Sequence, residues 1–199
     1  MPNCSHDEQD AIMRAKRELI LYARRLGHHH LVMGHGGNMS ARIGNAIIIT
    51  KHGVHIESLS EEDLVIIPLS SGGDMEYLAS VELPVHRAIY LKTSSRAIIH
   101  THSPYVAALA QVVRRYFKPV DEESRRAIPL VPVVEAPPGT MELAKRVSRR
   151  AEEGFKVILV KGHGVFVHGD SIREAYTLAC LIEHAARTWL LSIHGGFHL

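Results

Sequence analysis

The residues with the plainest capacity for chemistry are His100 and His102, in Ile98-Ile99-His100-Thr101-His102-Ser103-Pro104. An apolar run that reads as a buried strand ends there in two histidines one residue apart. Side chains at i and i+2 of extended chain point to one face, so both imidazoles can converge on a single point. Pro104 stops the strand, and Tyr105 to Gln111 begins to read as a helix. A second buried-looking strand, Val157-Ile158-Leu159-Val160, runs into Lys161-Gly162-His163-Gly164, whose glycines allow backbone or ligand to come close. A His-x-His pair at the carboxyl end of a strand suits a transition metal. Three neutral imidazoles with an open fourth position are the donor set of a catalytic site, not of a closed structural one. The chain has 15 histidines, so solvated surface residues are the competing reading. The repeat of strand followed by histidine argues against it. The triplet His28-His29-His30 is different: consecutive side chains on a loop diverge, and these are read as solvated or facing a subunit neighbour.

Three further stretches offer donors or acids. Met33 to Arg42 is a glycine-rich turn leading into a strand; its glycines expose N–H groups and Asn38 adds an amide, so it can cradle an anion. It has neither P-loop nor dinucleotide spacing, and a simple hairpin approach fits it equally. Lys51-His52-Gly53 makes a second loop with donors. Ala79-Ser80-Val81-Glu82 precedes a helix, Leu83 to Leu91, and puts Glu82 in its first turn. Taken alone, Glu82 reads as a charge complementing the helix dipole.

The elements that must position these groups follow from periodicity and caps. Ser5-His6-Asp7-Glu8 has the capping-box pattern, opens an amphipathic helix through Leu26, and leaves Gly27 as its C′ stop. Ala46 to Thr50 reads as a strand after a Gly44-Asn45 turn, and Ser60 to Asp63 as a helical turn leading into a strand at Leu64–Ile67. Pro129–Val134 and Val165–His168 read as strands and Asp121–Arg126 as a charged segment. Thr140 caps a helix over Met141–Glu153. A second capping box, Ser171 to Glu174, opens a long helix reaching about Leu191. No internal repeat, low-complexity tract or linker interrupts the chain, so 199 residues are read as a single domain, 1–199.

Composition bounds the class. Hydrophobic residues make up 46% and charged residues 22%, as in an ordinary globular α/β protein. A net charge of +2 gives no electrostatic case for nucleic acid or a membrane surface. No apolar stretch approaches the roughly 18 residues that span a bilayer, and the polar, acidic start is read as lacking a signal peptide. Cys4 and Cys180 form no disulfide framework, which fits a reducing cytoplasm.

Gly-Gly-Asn-Met-Ser-Ala-Arg (36–42), Ile-Thr-Lys-His-Gly (49–53), Ser-Val-Glu-Leu-Pro-Val-His (80–86), His-Thr-His-Ser-Pro (100–104) and Lys-Gly-His-Gly (161–164) occur in the order of one family. Nearly the whole chain resembles the zinc-dependent class II aldolases, a family that includes L-fuculose-1-phosphate aldolase, L-ribulose-5-phosphate 4-epimerase and methylthioribulose-1-phosphate dehydratase. The resemblance implies a three-layer α/β/α fold with a central, mainly antiparallel sheet, assembled as a C4 homotetramer with active sites at subunit interfaces. It implies one zinc per subunit on His100, His102 and His163, and a small phosphorylated sugar as substrate. Glu82 aligns with the acidic residue beside the metal. Gly37, Asn38, His52, Gly53, Ser80 and Val81 align with the phosphate pocket. The family usually has Ser or Thr at the positions of His52 and Val81; a histidine can still donate to phosphate, and Val81 can offer its N–H.

For a family aldolase the implied reaction is reversible cleavage of a ketose 1-phosphate to dihydroxyacetone phosphate and an aldehyde through a metal-stabilised enediolate. Glu82 would move the carbon-bound proton, and Tyr116, from a neighbouring subunit, is the candidate for the acid that exchanges a proton with the oxygen of the aldehyde fragment. The 4-epimerases tend to carry aspartate where this chain has Glu82, so glutamate favours the L-fuculose 1-phosphate type and leaves the dehydratase open. The adducin head domain resembles the same fold without being a metal enzyme, and that class is expected to lose the metal histidines this chain keeps.

Overall fold

A computed structural model of the chain describes residues 6–195. Among the described residues eight strands are formed: β1 (Asn38–Ile43), β2 (Ala46–Thr50), β3 (Leu64–Pro68), β4 (Ala97–Thr101), β5 (Tyr116–Phe117), β6 (Val131–Val134), β7 (Val157–Val160) and β8 (Gly164–Gly169). They build one sheet in the order β3-β2-β1-β4-β8-β7-β6-β5. The β6–β7 pair is parallel and the other pairs are antiparallel.

Helices α1 (His6–His28), α3 (Pro104–Val112) and α6 (Ile172–His194) pack on one face, and α2 (Leu83–Lys92) and α5 (Met141–Glu152) on the other. The short α4 (Glu122–Ala127) lies against α6. The expected three-layer α/β/α architecture is therefore the observed one. Alternation along β4 divides the core in two: Ala97 and Ile99 join the cluster under α1 and α6, while Ile98 joins the cluster under α2 and α5. Because both faces are covered, Ala97–Ile99 of β4 and the whole of β7 are unbroken apolar runs.

Two ends differ from the reading of the sequence. Ser5, the expected cap of α1, lies outside the described residues. At the other end α1 passes through Gly27 to His28, and His30 takes the left-handed conformation at φ 55°. His30 N–H donates to Gly27 O at 3.0 Å and Leu31 N–H to Leu26 O at 2.9 Å, a Schellman closure sealed by the buried Leu26 and Leu31. Gly27 is needed for room instead: a Cβ there would sit 2.5 Å from that of Glu57. At α6 the box is half formed. Ser171 Oγ accepts from Glu174 N–H at 3.2 Å, but the Glu174 carboxylate turns to Asp170 N–H and Lys156.

The segment after His102 is anchored from α6. Glu183 accepts from Ser103 Oγ at 2.7 Å, Tyr105 N–H at 3.1 Å and Val106 N–H at 2.9 Å, placing a carboxylate at the start of α3. Replacing it orphans three donors in a part-buried place. Glu183→Ala is expected to cost about 2–3 kcal/mol, since buried donors left unpaired lose their full desolvation energy. At roughly 2–4 °C per kcal/mol for a domain of this size, thermal unfolding followed by circular dichroism should move down by roughly 5–10 °C.

Candidate active site

β4 ends with His100 on the face of Ile98, its ring stacked on Phe166 of β8 at 4.0 Å between centroids. His102 follows two residues on, and His163 comes from the turn joining β7 to β8, the strand paired with β4. The three rings meet at their Nε2 atoms: His100 lies 2.8 Å from His102 and 3.3 Å from His163. The three ligand atoms lie within 4.8 Å of one another.

These residues fit a divalent metal. His100 Nδ1 lies 2.9 Å from Val165 O, so that nitrogen carries the proton and Nε2 presents its lone pair. Nitrogens on a tetrahedral ion with bonds of about 2.0–2.1 Å are roughly 3.3 Å apart, close to the separations seen. Burial also keeps the rings neutral, as a metal requires. It holds His100 well below the ordinary histidine range, reinforced by the neighbouring histidines, lowers His102, and brings His163 down to about 4.

Glu82 stands at the N-cap of α2 and is 2% exposed. Its Oε1 accepts from Gly139 N–H at 3.2 Å, while its buried Oε2 has no partner among the described residues. Burial raises its pKa from 4.5 to about 7, against a smaller downward pull from the Gly139 N–H. A carboxyl that titrates there can both give and take a proton near neutral pH. Gly139 can deliver its N–H because it adopts φ +69°; a Cβ would meet Val81 O at 3.3 Å.

The histidines and Glu82 line a cavity of about 150 Å³ together with Gly37, Asn38, His52, Gly53, Ser80 and Val81. Strand pairing sets Asn38 of β1 directly opposite His100 of β4. Ser80 is held by its N–H on Thr50 O at 3.0 Å, and its hydroxyl accepts from Glu82 N–H at 3.3 Å. His52 donates its N–H to Leu78 O at 2.9 Å, so only its ring is available to a ligand. Lys51, from the donor-bearing second loop, also lines the cavity, as do His35 and Pro138, which the sequence does not mark as site residues. His35 sat within the glycine-rich turn, and its Nδ1 is 2.7 Å from Gly53 O, a contact between two loops that no local pattern signals. Tyr116 is not brought to this cavity. It sits in the edge strand β5, 43% exposed, with Arg150 stacked 5.8 Å over its ring. A roomier groove of about 520 Å³ beside β6 and α5 is lined mainly by basic side chains such as Arg114 and Lys145, with Glu135 and Glu142, and among the described residues it gathers no metal-ligand set.

A family model described as Class II Aldolase and Adducin N-terminal domain matches residues 17–190. An L-fuculose phosphate aldolase of Methanococcus maripaludis is 35% identical over 172 residues, covering 85% of this chain and 93% of its own. A 5-deoxy-D-ribulose 1-phosphate aldolase of Bacillus thuringiensis is 27% identical over 187 residues, covering 89% and 85%. The crystal structure of L-fuculose-1-phosphate aldolase from Thermus thermophilus superposes with a TM-score of 0.86 at 30% identity, covering 94% of this chain and 98% of that one.

Proposed function

The chain belongs to the class II aldolase and adducin N-terminal domain family, and from that premise we propose that it is a zinc-dependent lyase cleaving a ketose 1-phosphate of the L-fuculose 1-phosphate type to dihydroxyacetone phosphate and an aldehyde. The observation that carries the reading is Glu82: a buried carboxyl with an unpartnered oxygen in the same cavity as three convergent imidazoles. An interaction module of the adducin kind has no use for that expensive arrangement. His100, His102 and His163 would hold the metal, and zinc suits three imidazoles with a position left open. When bound, the metal supplies Lewis-acid stabilisation of the negative charge that develops on the ketose oxygens.

The chain's own groups do the rest. Asn38, the ring of His52, the Ser80 hydroxyl and the N–H groups of Gly37, Gly53 and Val81 would bind the phosphate and orient the carbon skeleton, so that its binding energy fixes the reacting carbons. In the cleavage direction Glu82 delivers a proton to the carbon released by bond breaking, and in synthesis it removes that proton. Tyr116 would serve the cavity of a neighbouring subunit, protonating the aldehyde oxygen in synthesis and taking the hydroxyl proton in cleavage. Its distance from its own cavity supports that arrangement. So do the exposed Met33, Val81 and Met141, at 88%, 56% and 73%, in the segments bordering the site, which a second subunit of a C4 homotetramer would cover. Among the described residues no helix is long and apolar enough to cross a membrane, and Cys180 is a free thiol.

The test is an assay of zinc-loaded protein on L-fuculose 1-phosphate, L-ribulose 5-phosphate and methylthioribulose 1-phosphate. Dihydroxyacetone phosphate should appear from the first. Silence there, with an epimer or a dehydrated product from another, would replace the reaction while keeping the site.

A further inference from the structure

Behind Asn38 runs a file of buried polar groups that the proposed chemistry leaves unused. His86 of α2 is 0% exposed, with Nε2 2.6 Å from Asn38 Oδ1 and Nδ1 2.7 Å from Ser40 Oγ. Ser40 Oγ is in turn 2.7 Å from the Tyr90 hydroxyl, and both residues are buried. Burial keeps the imidazole neutral, so one ring nitrogen donates and the other accepts.

A single assignment pairs every proton in the file. Among the described residues the Tyr90 hydroxyl has Ser40 Oγ as its hydrogen-bond partner, so it must donate there or leave its proton unpaired in the core. Ser40 then donates to His86 Nδ1, and His86 Nε2–H donates to Asn38 Oδ1. Were Nδ1 the protonated nitrogen, either the serine or the tyrosine O–H would be orphaned. The carbonyl of Asn38 is thereby committed inward, and its NH2 is turned toward the cavity that Asn38 lines.

We propose that His86, set by Ser40 and Tyr90, is a positioning residue that locks the Asn38 amide with its N–H groups toward the phosphate of the substrate. The proposal rests on the reading of that end of the cavity as the phosphate site. An amide free to turn over would also populate the orientation that presents its carbonyl oxygen to the anion, exchanging a donor for a repulsive partner. A phosphate monoester is selected by this orientation, and a ligand that needs an acceptor at that point is disfavoured.

The decisive measurement is the 15N spectrum of the His86 ring in the unaltered protein, which is expected to show the neutral Nε2–H tautomer. An Nδ1–H tautomer overturns the proposal, because it would require the Asn38 amide to face the other way. Binding of inorganic phosphate to the metal-loaded protein, measured by calorimetry, tests the consequence. His86→Leu should weaken phosphate about tenfold, the worth of one good hydrogen bond, and His86→Gln, which keeps an amide N–H toward Asn38, should recover most of it. In turnover the loss should fall on KM with kcat nearly kept and metal affinity unchanged. Equal weakening by Leu and Gln, or a parallel loss of metal, would mean that His86 only supports the fold. If His86→Leu fails to fold, the tautomer decides. Asn38→Ala separates the two levels. Phosphate binding that survives it removes the phosphate reading and this proposal together. Phosphate binding lost with Asn38→Ala but untouched by His86→Leu removes the proposal alone.

Discussion

His102→Ala is expected to abolish metal binding and lower activity by three or more decades while leaving the metal-free protein folded. His102 is the exposed member of the triad, just beyond the end of β4. Its ring meets the other two histidines and makes no hydrogen bond to the rest of the described chain. Its loss leaves two imidazoles where a catalytic ion needs three protein ligands. A metal contributes several kcal/mol of charge stabilisation to the transition state, and each 1.36 kcal/mol is a decade of rate, so a fall of about 10³ or more follows. The same substitution gives a thermodynamic signature independent of any substrate. An ion at roughly 1,000 times its dissociation constant stabilises the native state by about 4 kcal/mol. At about 2–4 °C per kcal/mol, zinc should raise the unfolding temperature of the unaltered protein by roughly 8–16 °C, and that of the variant hardly at all. Scanning calorimetry with and without zinc measures both. A variant that keeps the full rise would mean that the ion binds elsewhere.

How much of this was legible beforehand depends on how local each feature is. The His-x-His pair and His163 could be read because a buried strand is an unbroken apolar run, and the residue at its end is visible as the place where that run stops. The strand alternation that aligns His100 with His102 is equally local. Glu82 was visible as a residue at a helix start, but the sequence alone gave it only a dipole role. The resemblance raised it to an acid beside a metal. What gives it its chemistry, burial and the N–H of Gly139 57 positions away, is a product of tertiary packing. Gly27 misled because a glycine at a helix end usually means a C′ stop, whereas here it admits the close approach of Glu57 and the left-handed residue is His30. His86 closes the 80–86 motif that carries the resemblance, but its place in the sequence, four residues after Glu82, assigns it no role of its own. Its value lies in contacts with Asn38 and Ser40 across 48 and 46 residues, which no local pattern carries.

Glu82→Gln should separate activity from stability in opposite directions. The substitution keeps the shape and an oxygen to accept from Gly139 N–H, but it removes the group that moves the proton. Loss of a positioned general acid–base group costs about 10²–10⁴ in rate, and it should fall on kcat with zinc still bound. Stability changes the other way, and only above a certain pH. In the unfolded chain the carboxyl ionises near 4.5; in the fold burial delays ionisation to about 7. The folded state therefore holds a proton that the unfolded state has released, and metal-free protein loses stability as pH rises from 4.5 toward 7, with the full penalty present above. That penalty is on the order of 3 kcal/mol, because each tenfold difference in acidity between the folded and unfolded states is worth 1.36 kcal/mol. Glutamine never ionises, so metal-free Glu82→Gln should match the unaltered protein at about pH 4 and exceed it by that amount at about pH 8 in urea unfolding. A nearby divalent cation favours the ionised carboxyl, so zinc should shrink the difference. Equal stability of the two metal-free proteins at about pH 8 would show that Glu82 ionises freely in the fold, and a carboxylate with an ordinary pKa would be a poor candidate for shuttling a carbon-bound proton at neutral pH.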